Sequence, residues 1–203
     1  TGPTITLEQI DSASCNNLQD GSINISVSGG NPPYNYLWDG TVPFGFGSGL
    51  HCCVQDLITW YAGTYSITIT DSLGCVSGDV FIIPEPNPIT IIDSINDLSC
   101  YNDLTGSIEI LISGGTSPYI PSWSGPNSFT SSLETLINLD TGTYTISGVD
   151  NNGCPLPSSS FTIQQPDSIS LVLNSTVTAC SSPTGTASIS ASGGTISADY
   201  SYL

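Results

Sequence analysis

A nine-residue segment of this chain returns 85 positions later, and self-similarity at that spacing points to a row of structural copies rather than one undivided core. Cys15-Asn16-Asn17-Leu18-Gln19-Asp20-Gly21-Ser22-Ile23 recurs as Cys100-Tyr101-Asn102-Asp103-Leu104-Thr105-Gly106-Ser107-Ile108, and a looser third copy begins at Cys180, a further 80 positions on. Each leads into an alternating segment that ends in Ser-Gly-Gly: Ser28-Gly29-Gly30, Ser113-Gly114-Gly115 and Ser192-Gly193-Gly194. Two copies continue through Pro33-Tyr34 and Pro118-Tyr119 to Trp38 and Trp123, then through Gly63-Thr64-Tyr65 and Gly142-Thr143-Tyr144 to Gly74-Cys75 and Gly153-Cys154. The third copy stops at Leu203, before its tryptophan.

Within a copy the apolar period is two. Ile23, Ile25 and Val27 alternate with Ser22, Asn24 and Ser26; Tyr65, Ile67 and Ile69 do the same, as do Ile108, Ile110 and Ile112. Such alternation marks strands with one face buried, and short strands between Gly, Pro, Asn and Asp clusters predict an all-β sandwich. Pro84-Glu85-Pro86-Asn87-Pro88 and Gln165-Pro166-Asp167 punctuate the copies, and the fixed φ of proline makes such junctions stiff. The expected division is 1–86, 87–166 and 167–203, the last an incomplete repeat. Trp38 and Trp123, at matching strand positions, are expected in the cores, with Tyr65 and Tyr144 anchoring strands. Trp60 and Tyr61 align with Leu139 and Asp140, which leaves Tyr61 as the surface aromatic.

Charge excludes several functions. The chain has 17 carboxylates and neither Lys nor Arg, so nothing can neutralise nucleic-acid phosphates or hold an anionic membrane surface. Its carboxylates must be solvated, hydrogen-bonded or metal-bound. Calcium is the cation such a surface would suit, but Asp150-Asn151-Asn152-Gly153 lacks the ligand count of a binding loop, and no cofactor is assigned. No run of 18 apolar residues would span a membrane. Thr1 in place of Met, with no signal peptide, suits a processed or truncated chain. No nucleophile–base pair is visible: the one histidine, His51, lies in an insertion that the second copy lacks, so no enzyme is expected.

Seven cysteines in such a chain suggest an oxidising compartment. Each complete copy carries one Cys before its alternating strand and one after the Gly-Thr-Tyr strand. The parsimonious pairing is therefore Cys15 with Cys75 and Cys100 with Cys154, each closing a loop of roughly 55–60 residues worth about 4 kcal/mol. Cys180 matches Cys15 and Cys100, and its partner is expected beyond Leu203. Cys52 and Cys53 stand outside the pattern, beside His51; a vicinal disulfide or bonds to a neighbouring chain suit them better than a metal, which adjacent cysteines chelate poorly.

The order of these motifs resembles the SprB-type repeats of gliding-motility and surface adhesins of Bacteroidota: Cys, a short turn, Gly-Ser-Ile, Ser-Gly-Gly-x-Pro-Pro-Tyr, Trp, Gly-Thr-Tyr, Thr-Asp and Gly-Cys. The first copy matches from Cys15 to Pro86, and the second from Cys100 to Pro166 with Val149-Asp150 in place of Thr-Asp. The resemblance implies immunoglobulin-like modules in a long extracellular protein exported by type IX secretion, with neighbouring repeats or subunits of the same protein as partners and surface glycans as a further target. It also implies O-glycosylation at Asp-Ser followed by an aliphatic residue, which nominates Ser12, Ser72, Ser94 and Ser168. The expected role is a structural or adhesive rod or surface filament in adhesion or gliding. The rival is a carbohydrate-binding accessory module of a secreted enzyme, which would need two or three coplanar, exposed rings.

Overall fold

The computed structural model describes residues 2–41, 51–176 and 185–195. The described chain is all-β, apart from a 3-10 turn at Pro126–Ser128. In the first copy, β1 (Pro3–Asp11), β2 (Gly21–Gly29) and β5 (Leu57–Trp60) form a three-stranded antiparallel sheet in the order β1-β2-β5. Facing it, β3 (Asn35–Thr41), β4 (His51–Cys52), β6 (Gly63–Thr70) and β7 (Val76–Ile83) form a four-stranded sheet in the order β4-β3-β6-β7.

The second copy repeats this plan. Its strands β8 (Thr90–Asn96), β9 (Gly106–Ser113) and β12 (Thr135–Leu139) make a sheet in the order β12-β9-β8. Its strands β10 (Ile120–Ser124), β11 (Thr130–Ser131), β13 (Gly142–Val149) and β14 (Ser159–Ile163) make a sheet in the order β11-β10-β13-β14. Three strands facing four, with the chain crossing between sheets after its second strand, is immunoglobulin-like architecture. The third copy contributes a hairpin of β15 (Ser170–Ser175) and β16 (Ala187–Ser192).

The period of two builds these cores as expected. Ile23, Ile25, Tyr65, Ile67 and Ile69 are buried together with Trp38, Leu57, Phe81 and Ile83. Ile108, Ile110, Ile112, Trp123, Tyr144, Ile146, Phe161 and Ile163 are buried in the second copy. Trp38 and Trp123 are each 1% exposed, and the indole N–H of each finds a backbone acceptor: Trp38 donates to the Val54 carbonyl at 3.2 Å and Trp123 to that of Leu133 at 2.9 Å. Each packs on a phenylalanine, Trp38 on Phe81 and Trp123 on Phe161, with centroids 6.2 and 5.6 Å apart. The tyrosines after Gly-Thr anchor strands through their hydroxyls, Tyr65 donating to the Tyr61 carbonyl at 2.7 Å and Tyr144 to that of Asp140 at 3.0 Å. A buried phenol that reaches back a few residues to the backbone is the tyrosine corner of such sandwiches.

The chain clusters into two compact units. One comprises residues 1–90 with 113–119 and 149–155; the other comprises 91–112, 120–148 and 156–203. Two turns of the second copy thus belong to the first unit.

Candidate functional site

The chemistry-bearing feature of the first unit is a pair of turns that meet through sulfur. The first follows β1. Ser14 is held by Asp20, whose carboxylate accepts the Ser14 N–H at 2.9 Å and also its hydroxyl. Asn17 takes a left-handed conformation (φ 60°), which asparagine tolerates, and Leu18 N–H closes the turn on the Cys15 carbonyl at 3.2 Å. The proline junction is fastened to the same turn: Ala13 N–H donates to the Pro84 carbonyl at 2.9 Å, Asn17 N–H to the Glu85 carboxylate at 2.6 Å, and the Asn16 amide to the Pro86 carbonyl at 3.3 Å.

The second turn is organised by Asp150, 1% exposed. One carboxylate oxygen accepts N–H bonds from Asn152 and Cys154, both at 2.9 Å, and the other accepts that of Thr116 at 2.7 Å. Burial works against the charge, but these backbone donors outweigh it and hold the carboxyl below the ordinary carboxylate range. Asp71 builds the same turn in the first copy, accepting from Leu73 (3.0 Å), Cys75 (2.8 Å) and Asn31 (3.0 Å). Burial again opposes its charge, and the N–H groups of Cys75, Asn31 and Leu73 again prevail. Of the three fates open to a carboxylate without Lys or Arg, hydrogen bonding is therefore the one realised at Asp71 and Asp150.

Cys15 is bonded to Cys154, with Cα atoms 5.6 Å apart and 139 residues between them in sequence. The Asn152 amide donates to the Ser14 carbonyl beside the bond at 3.1 Å. This corrects the expected pairing: Cys15 does not join Cys75, Cys100 does not join Cys154, and the disulfide is not internal to each repeat. Cys75 and Cys100 are exposed free thiols. Strand length is the reason. Cys75 lies against Gly2, where a Cβ on the glycine would stand 3.4 Å from that of Cys75, at the start of β1. Cys15 lies beyond the far end of β1, a nine-residue strand. Such a strand covers about 27–30 Å, whereas a disulfide needs its Cα atoms within about 7 Å. In the second copy, Cys154 is taken by Cys15 and Cys100 keeps its thiol.

The remaining candidates are scattered. Cys53 is exposed, with a left-handed backbone (φ 81°) and its N–H on the Tyr36 carbonyl at 2.9 Å. Cys52 pairs with Leu37 in the β3–β4 ladder, and its side chain lies outside the described residues, as does Cys180. Ser12, Ser72, Ser94 and Ser168 are all exposed: Ser12 and Ser168 in loops, Ser72 in the β6–β7 turn and Ser94 on β8 at a sheet edge. Tyr61 is half-buried, and what it contributes is its carbonyl, the acceptor for Tyr65. Trp60 packs edge-on to Tyr65 at 5.6 Å. Among the described residues, no three His, Cys, Asp or Glu side chains converge as a metal site, and no helix is long and apolar enough to cross a membrane.

Two immunoglobulin-like sandwiches of repeated plan, with the first turn of one copy bonded through sulfur to the last turn of the next, define a repeat module. The SprB repeat model matches residues 7–42 and 92–128, one segment in each complete copy. No curated protein matches the chain in sequence. In structure it is similar to Dscam1 isoform 6.44, N-terminal four Ig domains, at 13% identity and a TM-score of 0.34, over 81% of this chain and 47% of that one. A Dscam chain from work on the structural basis of isoform specificity gives 12% identity and a TM-score of 0.34, over 81% and 46%. Dpr2 Ig1-Ig2 in complex with DIP-Theta Ig1-Ig3 gives 11% and 0.31, over 86% and 75%. The chain spans less than half the length of the two Dscam chains.

Proposed function

We propose that this chain is a structural and adhesive segment of a larger extracellular repeat protein, one that extends as a rod or surface filament in cell adhesion or gliding. The observation that carries the reading is the disulfide from Cys15 to Cys154, which ties the first turn of one SprB repeat to the last turn of the next. A covalent tie between repeats resists extension, and it persists only in an oxidising compartment. The buried Trp38 and Trp123 favour a load-bearing module over a sugar-binding one, because neither indole face is open to stack on a sugar. The repeats divide at 86/87 and 166/167, export follows the type IX route, and the partners are neighbouring repeats or subunits, with surface glycans as a further target.

Single-molecule pulling tests the mechanical reading. Under oxidising conditions the contour between Cys15 and Cys154 stays locked, so the chain yields a much shorter extension than after reduction. Equal extension in both states would refute it. Ser12, Ser72, Ser94 and Ser168 are the proposed O-glycosylation sites. Intact mass of material from the native organism should exceed the polypeptide mass by whole glycans, and it should fall by one glycan for each of these serines changed to alanine.

A further inference from the structure

Among the described residues, two cysteines of the repeat pattern lie outside the bond just described. Cys75 is the first copy's counterpart of Cys154, and Cys100 is the second copy's counterpart of Cys15. Each stands in a turn built like that of its bonded counterpart. Asp71 holds the Cys75 N–H at 2.8 Å as Asp150 holds that of Cys154 at 2.9 Å. The Cys100 turn repeats the Cys15 turn: Asn102 is left-handed (φ 56°), Asp103 N–H reaches the Cys100 carbonyl at 3.3 Å, and Leu98 N–H and Asn102 N–H fasten to Gln164 and Gln165 of the next junction at 2.9 and 3.0 Å.

A second observation concerns what reaches the Cys100 turn. In the first unit, the second copy donates to the Ser14 carbonyl, next to Cys15, through Asn152. In the other unit, Thr195 of the third copy, just after its Gly-Gly, donates its hydroxyl to the Ser99 carbonyl, next to Cys100, at 3.1 Å. The third copy thus presents its Ser-Gly-Gly loop to Cys100. In the second copy the residue matching Thr195 is Thr116, whose N–H is bound by Asp150 of the cysteine turn.

We infer that Cys75 and Cys100 are inter-repeat disulfide sites: the leading cysteine of each SprB repeat bonds the Gly-Cys cysteine of the repeat that follows. Cys100 takes the Gly-Cys thiol of a completed third repeat, and Cys75 takes the leading cysteine of a repeat placed before the first. The bonds then form a ladder along the chain that leaves one cysteine of this set unbonded at each end, whatever the number of repeats. This rests on the repeat reading above. The chemistry is exchange with a disulfide oxidant such as oxidised glutathione. The Cys100 thiolate displaces one glutathione thiol to form a mixed disulfide, and the partner thiolate then displaces the second. Two protein thiols become one S–S bond, and one glutathione disulfide becomes two thiols.

Peptide mapping tests it. The chain lacks Lys and Arg, but cleavage before Asp isolates Cys15 in 11–19, Cys75 in 71–78, Cys100 in 97–102, Cys154 in 150–166 and Cys180 in 167–198. The chain as it stands is compared with an extended chain in which residues 1–194 are followed by a second copy of 116–166, which completes the third repeat in register. Both are refolded in a glutathione redox buffer, alkylated under non-reducing conditions and cleaved. In the original chain, 11–19 is joined to 150–166, and 97–102 and 71–78 are alkylated. In the extended chain, 97–102 is joined to 150–166 as well, and Cys100→Ser there releases one alkylated 150–166 peptide without disturbing the bond to 11–19. If 97–102 stays alkylated in the extended chain while 11–19 remains joined to 150–166, the ladder is overturned and the tie between the first two repeats stands. If 97–102 joins 150–166 in the original chain, both are overturned.

Discussion

Replacing Cys154 with serine separates the inter-repeat disulfide from every other contribution to stability. The bond joins positions 139 residues apart, so in the chain-entropy treatment its loss frees a loop worth about 5 kcal/mol at 25 °C. If the second sandwich stays folded while the first unit opens, the effective loop shortens, but each halving removes only about 0.6 kcal/mol, so the expected loss remains roughly 4–5 kcal/mol. Guanidinium unfolding without reductant, followed by tryptophan emission, reads it directly. Trp38 lies in the first sandwich and Trp123 in the second, and both are buried, so their red shifts report on the two cores. A loss of that size lowers the midpoint of the first unit by about 1–2 M. Cys15→Ser should match Cys154→Ser, and the double variant should be no worse than either, because all three remove one shared bond. Cys75→Ser and Cys100→Ser should each stay within about 0.5 kcal/mol of the parent, as exposed unbonded side chains do. If Cys75→Ser were as damaging as Cys154→Ser, the pairing set out here would be wrong.

The buried carboxylates predict an acid limit. Asp71 and Asp150 titrate lower in the folded chain than in the unfolded one. Their contribution is therefore complete above the unfolded value of about 3.9 and is lost as pH falls through the folded value. Melting temperature should be level from pH 7 to about 5 and fall below 4, whereas Asp71→Asn/Asp150→Asn should start lower and lose less across that range. Trp123→Ala should cost about 3–5 kcal/mol in the second sandwich by emptying its centre, while Tyr61→Ala, which keeps the carbonyl that Tyr65 uses, should cost less than about 1 kcal/mol, both read by denaturant titration. Gly114 and Gly74 are both left-handed, at φ 80° and 85°, but a Cβ on Gly114 would stand 2.1 Å from the Pro88 carbonyl oxygen, and one on Gly74 would meet nothing. Gly74→Ala should therefore cost only the backbone penalty of about 1–2 kcal/mol, and Gly114→Ala clearly more, as seen in paired melting curves.

The sandwich was legible because a period of two is a statement about faces. Ile23 and Ile25 had to share one face of their strand, as did Tyr65, Ile67 and Ile69 of theirs, and matched tryptophans in two copies had to serve corresponding cores. The tyrosine anchors were legible for a similar reason, since Gly-Thr-Tyr recurs at the same place in each copy. Cysteine pairing was not, because proximity along a repeat says nothing about which end of a sandwich a turn occupies. The ladder registers supply that information: Pro3 faces Gly29 and Asn35 faces Thr70 at the Cys75 end, while Gly21 faces Trp60 at the other. Counting strand traverses from Cys15 to Cys75 would have placed them apart. The role of Asp71 and Asp150 was half visible. Their carboxylates had to be solvated, hydrogen-bonded or metal-bound, and only the backbone geometry of an Asp three residues before Gly selects among these.

The outer strand β7 turns Val76, Val80 and Ile82 to solvent, more than half exposed, along an unpaired sheet margin. Margins of that kind are ordinarily guarded by lysines, whose ammonium groups discourage a second backbone from docking. With no lysine available, the guard is mutual repulsion among like-charged molecules, and a net charge of −17 keeps neighbours apart at a distance rather than at the strand itself. Repulsion of that sort is only as strong as its surroundings allow: it reaches about 8 Å in physiological salt, shrinks in brine, and vanishes as the acids take up protons. Added salt, or acid mild enough to leave the buried carboxylates charged, would thus turn a mutually aloof population of molecules into a cohesive one.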